Sequence, residues 1–293
     1  MKKILKPIFF TLSVVVLLLT TFSCEKVIKL DLNSENPKII IEAPINIDST
    51  NQKITIKQTV NFDDENSGIA VITADVTISN GTTSIKFNHI SNGEYEASTP
   101  LSFFGSDKSY ELKVIHEGKT HIATSICPVV SIPLDSIGVY KQKTFGRYNY
   151  SVAALRNETP KGVPNWYQYQ AKKNGVKINK ILIDDDQNLD GVTVTRKPIF
   201  DLPEFSPDTI VNDLPKFKVE KNGVTTLADS VELELTLVNI EYKVFRYYFN
   251  LILNQGGRQS ATPSNPDPLF TNGALGYFSV QKSYTKKKWI NTK

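Results

Sequence analysis

The sequence predicts a mainly β protein, with an N-terminal immunoglobulin-like β-sandwich followed by a second antiparallel β domain that carries one amphipathic helix. Short runs with alternating apolar residues recur along the chain, for example at Ile54 and Ile56, and this alternation is typical of half-buried strands. Asn-Gly pairs, which tolerate the positive φ angles of tight hairpin turns, separate several of these runs. The segment 240–254 instead has apolar residues at intervals of three and four, which predicts the helix.

The N-terminal segment has the layout of a secretory signal peptide. Lysines precede an apolar run at 8–19, and small and polar residues follow as far as Ser23. The run is shorter than the roughly 20 residues that a membrane-spanning helix needs. Cys24 comes next, where a thiol can be diacylated and become the new N-terminus. We therefore predict a lipoprotein signal at 1–23 and lipidation at Cys24, the alternative being an ordinary cleaved signal with an incidental cysteine.

The mature chain divides by composition into three parts. A stretch with little period-2 signal comes first, and the strand pattern that follows is interrupted by Pro128 and Pro133, which favour a domain boundary there. The predicted parts are a lipidated tether at 24–36, an immunoglobulin-like β-sandwich at 37–130, and a second β-rich domain at 137–293 with its helix near 240–254.

Charge and cysteine content exclude several classes of protein. The formal charge of +4 falls to +1 once the three signal-peptide lysines are removed, and five of the remaining lysines lie in the last twelve residues. A nucleic-acid partner is therefore not expected, because such binding needs a broader basic surface. Two cysteines are too few for a disulfide framework or a thiolate metal cage. No cofactor is expected.

One acidic segment resembles the start of a calcium-binding loop. Asp186, Asn188 and Asp190 have the alternating spacing of such loops, and Asp184 is a further candidate ligand. Position twelve is Lys197 instead of the bidentate Glu, which excludes a full EF-hand. Because acidic turns are also common in hairpins, a solvated turn is the favoured interpretation and no metal is favoured.

Two histidines lie close together in a predicted hairpin. His116 and His121 are five residues apart, so the helical H-E-x-x-H zinc motif is absent. A turn at Gly118-Lys119 would place His116 opposite His121, whereas a turn one residue earlier would pair Val114 with His121. The sequence leaves both registers open. No G-x-S-x-G motif accompanies these histidines, so a Ser-His-Asp hydrolase has little support.

Aromatic residues of the second domain are the candidate binding groups. Trp166, Tyr167 and Tyr169 could offer flat faces for stacking on a sugar or on a protein partner. Arg258 follows two glycines in a loop rich in Gly, Ser and Pro, where its guanidinium would offer a forked donor. These residues predict a glycan or peptide ligand.

Several segments resemble a known family. They are the opening at 24–32, the stretch at 37–42, the hairpin around Gly118, the predicted strand at 230–239 and the Gly-Tyr-Phe block at 272–278. The chain resembles a family of Bacteroidota outer-membrane lipoproteins catalogued only as a domain of unknown function. The resemblance implies an outer-membrane lipoprotein, often encoded beside TonB-dependent receptors, and it supplies no catalytic residues.

The expected function is that of a non-enzymatic component, held in the outer membrane by lipid at Cys24 and associated with a TonB-dependent receptor. The sequence does not decide between the periplasmic and the cell-surface side. Two alternatives stay open. One is a glycan-binding lipoprotein acting alone, and the other is a hydrolase with an unrecognised carboxylate pair, which two close acids in a cleft, one with a raised pKa, would reveal.

Overall fold

The computed structural model describes residues 37–60, 68–144, 147–158, 160–194, 200–201, 207, 209–211, 214–221, 223–255 and 266–292. The predicted signal peptide, the tether with Cys24, and Arg258 lie outside these residues. Pro37–Lys293 forms one compact unit.

The strands that precede the predicted domain boundary are short, and most of them alternate in burial along their length. They are β1 (Ile39–Asn46), β2 (Asn51–Gln58), β3 (Ile69–Ala70), β4 (Asp75–Ser79), β5 (Ser84–Ser91), β6 (Glu94–Ser98), β7 (Ser109–His116) and β8 (Lys119–Ile126).

The strands that follow the boundary are more variable in length. They are β9 (Ser136–Thr144), β10 (Arg147–Asn157), β11 (Trp166–Lys173), β12 (Val176–Lys177), β13 (Leu182–Asp185), β14 (Thr193–Val194), β15 (Phe200–Asp201), β16 (Thr209–Val211), β17 (Leu214–Lys221), β18 (Val224–Ala228), β19 (Ser230–Ile240) and β20 (Leu275–Asn291).

The prediction of a mainly β protein is confirmed. Helix α1 (Tyr242–Gln255) lies where the sequence predicts it, and short 3-10 turns occur at Leu101–Phe103 and Thr271–Gly273. The hairpin pair Asn92-Gly93 has positive φ at both residues, as its turn requires. No helix of the described ranges is long and apolar enough to cross a membrane. The immunoglobulin-like assignment of 37–130 stays a prediction.

A single 13-stranded sheet links the two predicted domains. Its main path runs β12-β11-β19-β20-β1-β2-β6-β5-β4-β7-β8, with β13 beside β11 and β3 beside β2. The one parallel pair among the described strands is β1 with β20, whose register places Ile41 beside Gly276. The first half of β20 thus belongs to the sheet of the first predicted domain, and its second half pairs with β19.

Gly276 makes the parallel pairing of β1 and β20 possible. Its φ is +99°, and a Cβ at this position would lie 2.0 Å from the carbonyl oxygen of Ile41. Only glycine permits so close an approach of two backbones. The Gly-Tyr-Phe block at 272–278 therefore has a structural role, because it starts β20, the strand that pairs with both β1 and β19.

Side chains cover the outer edge of β8. Asn272 Nδ2 donates to the Thr120 carbonyl at 2.7 Å, and the Ile122 N–H donates to Thr271 Oγ1 at 2.9 Å. Further along the strand, Lys243 Nζ donates to the Thr124 carbonyl, and the Ile126 N–H donates to Glu241 Oε1 at 2.7 Å. An edge strand whose polar groups are already bonded is protected against pairing with another chain.

Two hydrophobic clusters lie on opposite sides of the predicted domain boundary, with one exception. The first cluster runs from Ile39 to Cys127 but also includes Phe270, Phe278 and Val280, whereas the second begins at Ile132. The core of the first predicted domain therefore depends on residues from the C-terminal part of the chain. The division into domains at 37–130 and 137–293 stays a prediction.

The register of the β7–β8 hairpin places its turn at Glu117-Gly118. His116 pairs with Lys119, and His121 pairs with Val114. Of the two registers that the sequence left open, the hairpin has the one in which the histidines are not opposite each other. His121 Nδ1 instead lies 3.2 Å from the Thr271 carbonyl oxygen.

Candidate functional site

An open, mainly apolar pocket lies between the segment that follows β8 and a third hydrophobic cluster, which includes Ile240 and Val244. Its volume is about 330 Å³. The walls come from the end of β8 and the segment after it, from the start of β11, and from the junction of β19 with α1. They are formed by Ile126, Cys127, Pro128, Val129, Val130, Val163, Pro164, Asn165, Trp166, Asn239, Ile240, Glu241 and Tyr242.

Two aromatic rings and two exposed aliphatic side chains dominate the opening of this pocket. The rings of Trp166 and Tyr242 lie 5.1 Å apart at an angle of 50°. Val129 is 64% exposed and Ile126 is 46% exposed. Exposed apolar side chains that cluster around a concavity are typical of a binding site, since burying them against a ligand is favourable.

The polar side chains of the pocket are already bonded within the protein. Asn239 accepts from the Ile132 N–H at 2.8 Å and donates to the Ile132 carbonyl at 3.1 Å. Asn165 donates to Asp186 at 3.1 Å. Glu241 accepts from Ser125 Oγ, and its other carboxylate oxygen lies 3.4 Å from Lys243 Nζ. These groups hold the walls in place, so the pocket surface available to a ligand is chiefly apolar.

Cys127 lines the pocket as an unreactive thiol. The residue is buried and is not in a disulfide. Burial raises the pKa of its thiol to about 11. Because the thiolate is the nucleophilic form, a thiol that stays protonated at neutral pH contributes apolar surface and not chemistry.

The structure separates the three aromatic residues predicted to bind a ligand. Successive strand residues point to opposite faces, so Trp166 lines the pocket while Tyr167 and Tyr169 point into the core. Tyr167 is 0% and Tyr169 is 1% exposed. Their predicted stacking role is therefore wrong for this structure, because neither ring is accessible. Arg258 lies outside the described residues.

A buried polar cluster surrounds Arg156, which has no exposed surface. Its guanidinium donates to Glu158, to the Tyr169 hydroxyl at 2.6 Å and to Asp184 at 2.9 Å. It also lies over the Tyr167 ring, 4.5 Å from the centroid, and the Tyr167 hydroxyl donates to Glu158. Each of the three guanidinium nitrogens thus donates a hydrogen bond to an oxygen, as a buried charge requires.

The acids of this cluster have raised pKa values without forming an accessible catalytic pair. Burial raises the pKa of Glu158, against the opposing hydrogen bonds from Tyr167 and Arg156. Burial also raises the pKa of Asp184, against the charge of Arg156. A carboxylate pair that cleaves a substrate must face a cleft. The Glu158 side chain is 0% exposed, so this pair offers no place for a substrate.

The calcium candidates point to different partners. Asp184 bonds Arg156, and Asp186 accepts from Asn165. Asp190 accepts from the Gly162 N–H through both oxygens, at 2.8 and 3.0 Å. Asn188 lies in the turn between Asp186 and Asp190. Over the described ranges, no group of three or more His, Cys, Asp or Glu side chains is arranged to hold a metal ion.

The sequence analysis did not identify Arg156, Glu158 or Tyr242, which help to form the buried cluster and the pocket. Arg156 and Glu158 continue the inward-facing alternation of Val152 and Ala154 in β10, so charged residues at core positions were the available signal. Tyr242 joins the pocket only through the tertiary fold, and no local pattern marks it.

Comparisons with known proteins identify the family of the chain and give no function for it. No curated protein matches the chain. A family model described as a domain of unknown function, DUF4249, matches residues 25–287, which confirms the resemblance to a family catalogued in that way. The chain therefore belongs to the DUF4249 family.

Proposed function

We propose that this protein is a lipid-anchored outer-membrane binding protein that holds a protein partner, a TonB-dependent receptor, at the pocket formed by Trp166, Tyr242 and Val129. The observation that carries the proposal is the open apolar pocket, whose aromatic rings are accessible while its polar side chains are already bonded. The anchor is the lipid predicted at Cys24.

The chemistry of the pocket favours a protein partner over a sugar. A sugar carries many hydroxyl groups, and burying them without hydrogen bonds costs free energy. Asn165, Asn239 and Glu241 already use their polar atoms within the protein. The rings of Trp166 and Tyr242 are inclined at 50° instead of forming one flat platform. An apolar side chain of a partner protein fits these conditions better.

The lipid anchor makes a small contact surface sufficient. Confinement to a membrane raises the effective concentration of the protein towards an integral membrane partner, so even a weak interface is occupied. Burial of the exposed apolar side chains would supply the free energy of binding, at about 25 cal/mol per Å² of apolar surface.

The proposal is tested by capturing the partner from intact cells with pocket variants. Tagged wild-type protein, Trp166→Ala and Tyr242→Ala are crosslinked, purified in mild detergent and analysed by mass spectrometry. Trp289→Ala is the matched control, because Trp289 is 60% exposed but lies on β20, outside the pocket lining.

We expect a TonB-dependent receptor to be enriched with the wild type and the control, and to be depleted with both pocket variants. Equal enrichment with all four proteins would contradict the pocket assignment. Absence of any such receptor, together with binding of an oligosaccharide that Trp166→Ala abolishes, would favour the stand-alone glycan-binding alternative.

A further inference from the structure

The pocket wall at 163–166 is bonded to one aspartate of the turn that follows β13. Asn165 Nδ2 donates to Asp186 Oδ2 at 3.1 Å, and the Asp186 N–H donates to the Asn165 carbonyl at 3.3 Å. Both residues are buried, at 6% and 4% exposed. The residue after Asn165 is Trp166, which lines the pocket. A movement of Asp186 would therefore also move the start of β11.

Asp186 also lies beside the buried acid Glu158. Burial raises the pKa of Glu158, and the negative charge of Asp186 acts in the same direction. The Glu158 N–H donates to the Val192 carbonyl at 3.2 Å, which brings β10 to the turn that contains Asp186. Two ionised carboxylates that are buried near each other repel. Ionisation of Glu158 therefore pushes Asp186 away.

A single guanidinium faces three acids in this cluster. Arg156 donates to Glu158 and to Asp184, whereas Asp186 is bonded to Asn165. With all three acids ionised, three negative charges would face one positive charge. An excess of buried charge costs free energy, so the folded cluster favours a protonated carboxyl.

The groups that titrate or carry charge around Glu158 come from every element packed against it. Asp185 faces the other side of β13, since it pairs with Trp166 and accepts from the Gln187 N–H at 3.1 Å. The surrounding groups are Arg156 of β10, Lys161 of the next loop, Tyr167 and Tyr169 of β11, Asp184 of β13, and Asp186 and Asp190 of the turn.

We infer that the hydrogen-bonded pair Asn165 and Asp186 couples the protonation of Glu158 to the position of Trp166 in the pocket wall. With Glu158 protonated, Asp186 stays in place and the wall keeps the form described above. When Glu158 ionises, repulsion displaces Asp186, and Asn165 transmits the displacement to Trp166. The inference goes beyond the proposed function, because it gives the pocket a dependence on pH whatever ligand the pocket takes.

The test uses the fluorescence of Trp166 in the full chain, kept in mild detergent. The chain has two tryptophans, so Trp289→Phe leaves Trp166 as the only one. Trp289 does not line the pocket. The emission maximum is followed from about pH 4 upwards, since roughly 4.3 is the ordinary pKa of a glutamate. Circular dichroism identifies the pH range in which each variant stays folded.

We expect the emission maximum to move to longer wavelength as the pH rises through the pKa of Glu158, because Trp166 becomes more exposed to water. Glu158→Gln should abolish this shift. Asn165→Ala should reduce it, since the side-chain link is lost while Glu158 still titrates. The inference would be overturned by the absence of a shift in the Trp289→Phe protein, or by an unchanged shift in either further variant.

Two conservative variants separate the charge of Asp186 from its hydrogen bond. Asp186→Asn keeps an oxygen that accepts from Asn165 but carries no charge, so the shift should be lost. Tyr167→Phe removes a hydrogen bond that lowers the pKa of Glu158, so the midpoint of the shift should move to higher pH. A full shift in Asp186→Asn, or an unmoved midpoint in Tyr167→Phe, would contradict the coupling.

Two other carboxylates near Trp166 are the competing source of such a shift. Asp185 pairs with Trp166 in the ladder of β11 and β13, and Glu241 lines the same pocket. Asp185→Asn and Glu241→Gln should leave the shift unchanged. Loss of the shift in either variant would assign it to that neighbour and overturn the inference. The assay needs no receptor, so its outcome is independent of the proposed partner.

Discussion

Gly276 shows how one residue can determine a connection between distant parts of the chain. Its positive φ and its contact with the Ile41 backbone leave no room for a side chain. Gly273, three residues earlier, also has a positive φ, but a Cβ there would meet nothing within 4 Å. A comparison of alanine substitutions at the two glycines therefore separates the effect of a backbone clash from that of conformational strain alone.

We predict that Gly276→Ala lowers the free energy of unfolding by roughly 3 kcal/mol, because strand β20 must move away from β1. Gly273→Ala should cost only about 1 kcal/mol, the strain of the left-handed backbone. Urea unfolding of both variants measures the difference. Equal losses would show that the close approach at Ile41 is not the limiting contact.

The buried cluster around Arg156 makes a prediction about pH. Burial raises the pKa of Glu158, so the folded chain holds this proton more tightly than the unfolded chain. The stability that Glu158 contributes is then present below its ordinary pKa, and it is lost as the pH rises through the raised value.

We therefore expect the stability deficit of Glu158→Gln, relative to the wild type, to be larger at about pH 4.5 than at pH 7, since about 4.3 is the ordinary pKa of a glutamate. Urea unfolding at both pH values gives the deficit, and the acids that lie away from this cluster cancel between the two proteins. A deficit that grows with pH would mean that the ion pair with Arg156 lowers the pKa of Glu158.

At the scale of elements, the outer edge of β8 depends on side chains from two other parts of the chain. Glu241 accepts from the Ile126 N–H and from Ser125 Oγ, and Ser125 Oγ in turn accepts from the Val280 N–H at 2.8 Å. One carboxylate thus ties the end of β8 to α1 and, through Ser125, to β20.

Glu241→Ala should lower the free energy of unfolding by about 1–2 kcal/mol, because backbone and hydroxyl groups lose their partners. It should also promote self-association, since part of the β8 edge becomes free to pair. Thermal unfolding and sedimentation velocity measure these effects. Glu117→Ala is the control, because the Glu117 side chain is 74% exposed, and an equal response in both variants would contradict the edge assignment.

Sequence reasoning predicted the elements better than their assembly. Alternating apolar residues and the Asn92-Gly93 pair were sufficient to predict strands and turns, because strands and turns depend on residues that are neighbours in the chain. The parallel pairing of β1 with β20 joins residues more than 200 positions apart, and nothing local encodes it. Trp166 was predicted as a binding residue, but its pairing with Tyr242 depends on where α1 packs.

The same limit explains why the sequence predicted Tyr167 and Tyr169 as accessible binding residues although both are buried. Adjacent residues of a strand face opposite sides, so a cluster of aromatics in the sequence is divided between surface and core. The sequence alone does not tell which side of β11 is covered. That depends on Arg156, whose buried guanidinium binds the Tyr169 hydroxyl and lies over the Tyr167 ring.

At the scale of the whole molecule, the proposed function depends on the lipid attachment that we propose at Cys24. We predict that Cys24→Ser moves the protein from the membrane fraction to the soluble fraction, because serine lacks the thiol that would carry the lipid and the lipid would supply the stable attachment. Fractionation of cells followed by immunoblotting measures this. Unchanged membrane retention would contradict the lipid anchor.

We propose that the anchored protein binds a membrane partner through the apolar pocket, and site-specific photo-crosslinking tests this claim most directly. A photoreactive residue replaces Val129 at the pocket rim, or Val176, which is similarly exposed but distant from the pocket lining. After illumination of intact cells, we predict an adduct with a TonB-dependent receptor from position 129 and none from position 176. Adducts of equal yield from both positions, or no receptor adduct from position 129, would contradict the claim.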